Sequence, residues 1–197
     1  MEEKKEKALR AAREHFHEHG YRKASLSDLI SEIGISKPTF YNYFKNKEEL
    51  FYAAMLEAYT EFNYRYATRV KAATNAMEKI ETYITTFAWF LDAYPIYKDL
   101  FKPGNDLMPK WTQSRYCQDF FSEGVDTVRS ILEEGVEEGI FSTENDLEKC
   151  SLLLHYILVS VLSTDPGVYN KPDAPEYRID VPTLIGLVSR GLLVRTP

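Results

Sequence analysis

The 197-residue chain is 44% hydrophobic and 27% charged, a balance that is typical of a folded globular protein and excludes an intrinsically disordered one. No stretch reaches the roughly 18 consecutive apolar residues of a membrane span, and the charged N-terminus lacks the apolar core of a secretory signal. Cys117 and Cys150 lie far apart without metal-site spacing, which predicts free thiols. We therefore expect a cytoplasmic protein with no membrane partner.

The net charge of −6 is unevenly distributed along the chain. Residues 1–50 carry ten Lys/Arg and nine Asp/Glu, whereas the remainder carries fourteen and twenty-one. Affinity for nucleic acid depends on local clusters of positive charge more than on the total. The split therefore permits a small DNA-binding module attached to an acidic body.

Hydrophobic periodicity and capping residues predict an all-α chain of about nine helices. An apolar stripe in residues 8–16 forms a first helix, which Gly20 stops. Ser25 caps a short second helix that ends at Gly34, and Ser36 caps a short third helix. Longer helices and one short piece are then predicted over residues 47–73, 75–94, 96–102, 112–138, 145–163 and 183–194.

The third helix is predicted to have an unusual polar surface. Phe40 and Phe44, four residues apart, can both face the core, which leaves the other residues outward or at the helix start. These are Lys37, Pro38, Thr39, Tyr41, Asn42 and Tyr43. They offer a cation, hydroxyls for phosphate oxygens, an amide for adenine and a methyl group for thymine. Two short helices joined by residues 34–36 also have the spacing of a helix-turn-helix.

Residues 25–50 resemble the signature of the TetR family of transcriptional regulators. The resemblance is carried by Gly34-Ile35-Ser36, then Thr39-Phe40-Tyr41-Asn42-Tyr43-Phe44, then Lys45-Asn46-Lys47-Glu48-Glu49-Leu50. Ile30 and Ile33 stand where alanine is frequent in the family, and Pro38 stands where glycine is common. These departures alter helix packing without removing a contact group.

The resemblance implies a role for each matching residue. Lys37, Pro38 and Thr39 would contact base edges. The remaining contacts would be to the DNA backbone, from Tyr41, Tyr43, Lys47, Ser25 and Ser27. The resemblance also implies a DNA-binding domain over residues 1–48, linked through the helix at 47–73 to a ligand-binding and dimerisation domain over residues 49–197. A repressor of this design binds a palindromic double-stranded operator as a homodimer, and a small effector releases it.

The chain holds 14 Tyr, 11 Phe and 2 Trp, many of them at helical spacing in the larger domain. An aromatic core accounts for a large part of this content. The number of tyrosine hydroxyls that need partners nevertheless indicates a cavity with polar groups, and an effector that is bulky and largely apolar or aromatic. The predicted pocket residues are Tyr59, Phe62, Tyr66, Tyr83, Phe87, Phe90, Tyr94, Tyr116 and Phe120.

The helix at residues 145–163 is apolar nearly all round, so one side is expected to meet a partner. Together with the last helix it can form a four-helix bundle between two subunits. The predicted dimer interface consists of Leu154, Leu158, Val161, Leu184, Leu187, Val188 and Gly191.

Other chemistry finds little support in the sequence. His15 and His19 are spaced for a metal site, but a solvated helix face is the favoured interpretation, and no metal or cofactor is predicted. No nucleophile elbow, dinucleotide-binding glycine motif or phosphate-binding loop occurs, so no catalytic residue is assigned. The alternative to a DNA-binding regulator is an all-α small-molecule-binding protein or enzyme that does not bind DNA.

Overall fold

A computed structural model describes residues 2–100, 107–142, 146–163 and 180–192. These residues form an almost entirely helical structure, which confirms the all-α prediction. Within them no helix combines the length and apolar character needed to cross a membrane. The helices are α1 (Glu2–Lys23), α2 (Leu26–Ile33), α3 (Lys37–Tyr43), α4 (Lys47–Arg69), α5 (Ala76–Ala93), α6 (Ile96–Leu100), α7 (Met108–Thr112), α8 (Arg115–Glu137), α9 (Leu147–Ser163) and α10 (Val181–Leu192).

The first three helices form where local capping chemistry predicts them. The α1 backbone is broken at Gly20, whose φ of 73° lies in a region that side-chain-bearing residues rarely adopt. Ser25 caps α2 by accepting a hydrogen bond from the Asp28 amide, and Gly34 ends that helix in the left-handed conformation. Ser36 caps α3 in the same way, through the amide of the residue three positions on.

Helix α4 belongs to two packed regions. Asn46 caps its beginning by accepting from the Glu49 amide. Near this end the Phe51 ring packs 5.2 Å from the Phe16 ring of α1. Further along, Phe62 packs against rings of α5. The regular helix ends at Arg69, four residues before the predicted end, and a single 3-10 turn follows.

The segment before α8 forms a separate short helix that the sequence analysis did not predict. Trp111 anchors α7 because its side chain is buried. Ser114 then caps the beginning of α8 by accepting a hydrogen bond from the Cys117 amide. Helix α10 begins two residues before the predicted position, because Asp180 accepts from the Thr183 amide and caps it. Pro182 lies in the first turn of α10, where a proline is tolerated because an amide hydrogen at this position would have no helical partner.

Candidate DNA-binding surface and effector domain

Helix α3 presents a polar face to solvent. Phe40 and Phe44 are fully buried, as predicted, and they anchor the short helix on the core. Tyr41 is 56% exposed although it is a large aromatic residue. The other predicted DNA contacts are exposed or half-buried: Ser25, Ser27, Lys37, Pro38 and Asn42 are exposed, and Thr39 and Tyr43 are half-buried. All eight of these predicted residues are therefore at least partly accessible to DNA.

Lys47 is engaged within the protein. Its Nζ donates to the backbone carbonyls of Tyr21 at 2.9 Å and Ala24 at 2.8 Å, and it lies 4.2 Å from the centre of the Tyr21 ring. These carbonyls lie at the end of α1, where the helix dipole is negative and a cation is stabilised. Burial also lowers the pKa of Lys47 from its ordinary value. The ammonium thus joins the start of α4 to the end of α1, and its contact with phosphate stays a prediction.

Seven of the nine predicted pocket residues form one closely packed group of rings between α4, α5 and α8. The Tyr59 ring lies 4.5 Å from Phe120 and 5.2 Å from Phe62, and Phe62 lies 5.7 Å from Phe87. Burial raises the pKa of the Tyr83 hydroxyl well above its ordinary value. We call Tyr59, Phe62, Tyr66, Tyr83, Phe87, Phe90 and Phe120 the ring cluster.

Two predicted pocket residues lie at the margins of this cluster. Tyr116 packs 6.2 Å from the Tyr52 ring, towards the DNA-binding end of α4. Tyr94 packs against Phe90 and lies under the Arg13 guanidinium of α1, 4.8 Å from its ring centre. Tyr94 also lines a small cavity of about 200 Å³ between α1 and the end of α5.

A larger cleft of about 730 Å³ opens beside the ring cluster. Of the cluster residues, Tyr66 lines it, and burial raises the pKa of Tyr66 to about 12. The Lys79–Glu134 ion pair lies along the same cleft. The predicted aromatic residues therefore converge, but they fill the space between the helices with their own rings, and the open volume lies at their edge.

The exposed apolar surface of α9 differs from the predicted interface. Leu154, Leu158 and Leu184 are 7%, 0% and 2% exposed, so placing them in a dimer interface was wrong: their surface is already covered within the subunit. Val161 and Val188 are half-buried, and Gly191 is exposed. The large exposed apolar side chains of α9 are instead Leu152, Leu153 and Tyr156, and that of α10 is Leu187; of these only Leu187 was predicted.

Two functional candidates were missed by the sequence analysis. His155 is completely buried beside the ring cluster, and its only sequence signal is a single imidazole within a strongly apolar run. Arg13 of α1 forms an ion pair with Glu57 of α4, and the nearby Tyr94 hydroxyl donates to Glu61. Contacts of this kind join distant parts of the chain, so no local pattern reveals them.

The histidine pair of α1 also differs from the prediction of a solvated face. His15 is buried and contacts the Glu32 carboxylate of α2, while its ring lies 4.5 Å from that of the exposed His19. His15 therefore fastens α1 to α2. Among the described residues no group of three or more His, Cys, Asp or Glu side chains could hold a metal ion.

A helix-turn-helix with a polar outward helix, joined to a larger helical domain, defines a DNA-binding transcription regulator. Residues 8–54 match the sequence profile of the bacterial regulatory proteins of the tetR family. The N-terminal module therefore belongs to the TetR family, and the rest of the chain shares the fold of solved members of that family. Its members are transcription regulators and not enzymes, which removes the enzyme alternative.

Individual relatives agree with this assignment. The chain is 26% identical over 162 residues to YdgC, an uncharacterised HTH-type transcriptional regulator of Bacillus subtilis, covering 74% of this chain and 72% of that protein. It is 31% identical over 88 residues to the fatty acid metabolism regulator protein of the same organism, covering 43% and 45%. The fold is similar to that of the fatty acid degradation regulator FadR from Bacillus halodurans, with a TM-score of 0.72, 22% identity, and coverage of 96% and 94%.

Proposed function

We propose that this protein is a repressor that binds a palindromic operator as a homodimer and leaves it when a largely apolar effector binds. The outward face of α3 carries the DNA-binding part of the proposal. On a helix of seven residues, Lys37, Tyr41 and Asn42 are exposed while Phe40 is buried. A short helix with so polar a face fits the major groove, where hydroxyl and ammonium groups contact phosphates and an amide reads adenine.

The dimer is proposed to form through α9 and α10. Leu153 is 60% exposed, Tyr156 is 50% exposed, and Leu187 of α10 is 65% exposed. Apolar side chains of this size gain free energy when a partner removes them from water. A twofold pairing would place two recognition helices in successive major grooves about 34 Å apart, which matches a palindromic operator.

The effector is proposed to bind at the ring cluster or in the cleft that Tyr66 lines. Apolar walls with a few polar groups favour a largely apolar molecule. The similarity to a regulator named for fatty acid metabolism supports the same chemistry. Release of DNA then requires that the effector binds one orientation of the DNA-binding modules more tightly than the other.

The coupling element is proposed to be α4, shared between a DNA-binding domain over residues 1–48 and the effector domain that follows. Lys47 ties its beginning to the end of α1, and the Arg13–Glu57 ion pair ties its middle to the same helix. Beyond these contacts Phe62 of α4 lies within the ring cluster. A ligand that displaces those rings would therefore also move the DNA-binding module.

The test is binding of the full-length protein to a DNA fragment from beside its own gene, measured by gel shift at several salt concentrations. Tyr41→Ala is expected to weaken binding about 30-fold, because a dimer loses two hydrogen bonds of about 1 kcal/mol each. The matched control is Tyr64→Ala on α4, which removes a tyrosine that is 76% exposed but remote from α3. Equal affinities for the two variants would refute the assigned DNA surface.

A further inference from the structure

His155 is a polar side chain held in apolar surroundings at the junction of α8 and α9. It is 0% exposed, and the rings of Phe121, Phe120 and Phe87 lie 5.1, 5.9 and 6.3 Å from its own. Within the part of the chain that the structure describes, its Nε2 has no hydrogen-bond partner. Its Nδ1 lies 3.5 Å from the Tyr83 hydroxyl, at the long limit of a hydrogen bond.

An imidazole nitrogen without a partner is unfavourable in such a place. Buried polar groups are nearly always hydrogen-bonded, and each exception in a folded protein calls for an explanation. A leucine or phenylalanine at position 155 would fill the same space without a polar atom. The histidine therefore costs stability that an apolar residue would not, and such costs are typical of binding sites.

The helix facing His155 is shaped around its ring. Gly124 of α8 lies directly opposite, and a Cβ atom at that position would be 2.1 Å from Cε1 of the imidazole. No side chain fits there without moving the ring. The close approach of α8 and α9 at Gly124 thus holds the imidazole against the ring cluster, with one nitrogen towards Tyr83 and the other unsatisfied.

We propose that His155, together with Tyr83, recognises the effector through one uncharged hydrogen-bonding group, a hydroxyl or a carbonyl, on an otherwise apolar molecule. This inference rests on the proposed function and adds the polar group that selects the ligand. An uncharged group is favoured because a charged one would lose its hydration among the aromatic rings, and among the described residues no charged side chain contacts the imidazole to compensate for that loss. Hydrogen bonding to Nε2 would supply the partner that the nitrogen lacks.

The open cleft gives this pair a route to solvent. Tyr66 lines the cleft, and its ring lies 5.3 Å from the ring of Tyr83. Thr127, one helical turn beyond Gly124 on α8, lines the same cleft. A ligand in the cleft is therefore separated from Tyr83 by the Tyr66 ring, and it reaches the pair when that ring moves aside.

The test uses two probes of equal ring size, naphthalene and 2-naphthol, and measures their dissociation constants for the full-length protein by equilibrium binding. In an entirely apolar site the hydroxyl weakens binding, because it loses water without gaining a partner. Wild type is expected to prefer 2-naphthol. His155→Phe is expected to reverse this preference, with a change of about tenfold or more in the ratio of the two constants.

Two further variants separate recognition from folding. His155→Gln keeps an amide near the position of Nε2 and is expected to retain the preference for 2-naphthol, and the control His19→Phe removes an exposed imidazole and should change nothing. His155→Phe is also expected to raise the thermal midpoint, since an unsatisfied polar atom leaves the core. An unchanged probe preference in His155→Phe, or a wild type that does not prefer 2-naphthol, would overturn the proposal.

These outcomes are independent of the proposed DNA binding. Loss of wild-type binding to the DNA fragment would refute the regulator but leave a His155-dependent preference for 2-naphthol intact. Conversely, wild type and His155→Phe would both bind the DNA fragment and would release it equally with either probe if His155 has no role in recognition. That result would leave the regulator function standing and refute His155 as the recognition group.

Discussion

Replacing Lys47 by methionine is expected to destabilise the junction between α1 and α4. Methionine has nearly the same length and volume but cannot donate to the carbonyls of Tyr21 and Ala24, which lie 2.9 and 2.8 Å from Nζ. A hydrogen bond from a charged donor contributes about 1.5–3 kcal/mol. Ordering the long side chain costs up to about 2 kcal/mol, and partial exposure weakens the bonds further. The net loss is therefore about 2 kcal/mol.

The assay is thermal unfolding combined with amide hydrogen exchange in the segment that joins α1 and α2. A loss of this size lowers the midpoint by about 4–8 °C in a chain of this length and speeds exchange at the end of α1. The matched control is Lys45→Met, which removes an equal charge from an exposed position two residues away. Both variants reduce the charge near DNA, but only Lys47→Met should lower the midpoint.

The comparison also decides how a loss of DNA affinity is interpreted. If Lys47→Met weakens DNA binding and destabilises the junction, the lysine acts at least partly by positioning the N-terminal module. A midpoint equal to that of wild type and Lys45→Met would refute the structural role and leave phosphate contact as the function of this lysine.

Three further predictions follow from burial. Leu153→Glu should give folded monomers in light scattering, because the Leu153 side chain is 60% exposed in the subunit. Leu158→Glu should instead unfold the protein, because the Leu158 side chain is buried. A dimeric Leu153→Glu variant would contradict the proposed interface. Burial lowers the pKa of His155 from 6.5 to about 4, so the unfolded state takes up its proton first and wild type should lose about 3 kcal/mol as pH falls from 6.5 to 4. His155→Phe should lack this loss. Curves of stability against pH that run parallel for wild type and His155→Phe would contradict the prediction. Phe62→Ala should lower stability by about 3–5 kcal/mol and weaken release of DNA by 2-naphthol, and an unchanged release curve would exclude Phe62 from the coupling.

The sequence predicted the elements whose cause is local. The Ser25 and Ser36 caps, the end of α2 at Gly34 and the inward Phe40 each depend on residues within one helical turn, and each was confirmed. The polar face of α3 follows from the same periodicity, because burying Phe40 leaves its neighbours outside.

The orientation of α9 could not be predicted in this way. A helix that is apolar all round has no polar face to indicate which side meets solvent. The structure buries the polar Ser151 and His155 and exposes Leu152 and Leu153, the reverse of what hydrophobicity alone favours. That choice depends on Gly124 and the aromatic rings of α8, which are brought to α9 only by the tertiary fold.

The contacts along α4 differ in kind from one end to the other, and this difference bears on how an effector could act. Lys47 and the Arg13–Glu57 pair bind its first half to α1 through directional polar contacts, so α1 and this half should move together. At the far end Arg69 donates to the Thr86 hydroxyl of α5, which fixes that end to the effector domain. Between them the ring contacts are apolar, and such contacts resist changes in volume but have little directional preference. A ligand inserted among those rings would therefore tilt α4 about its Arg69 end and carry the whole N-terminal module with it. In the proposed dimer two such modules would have to meet grooves about 34 Å apart, so a tilt of a few degrees would be enough to weaken operator binding.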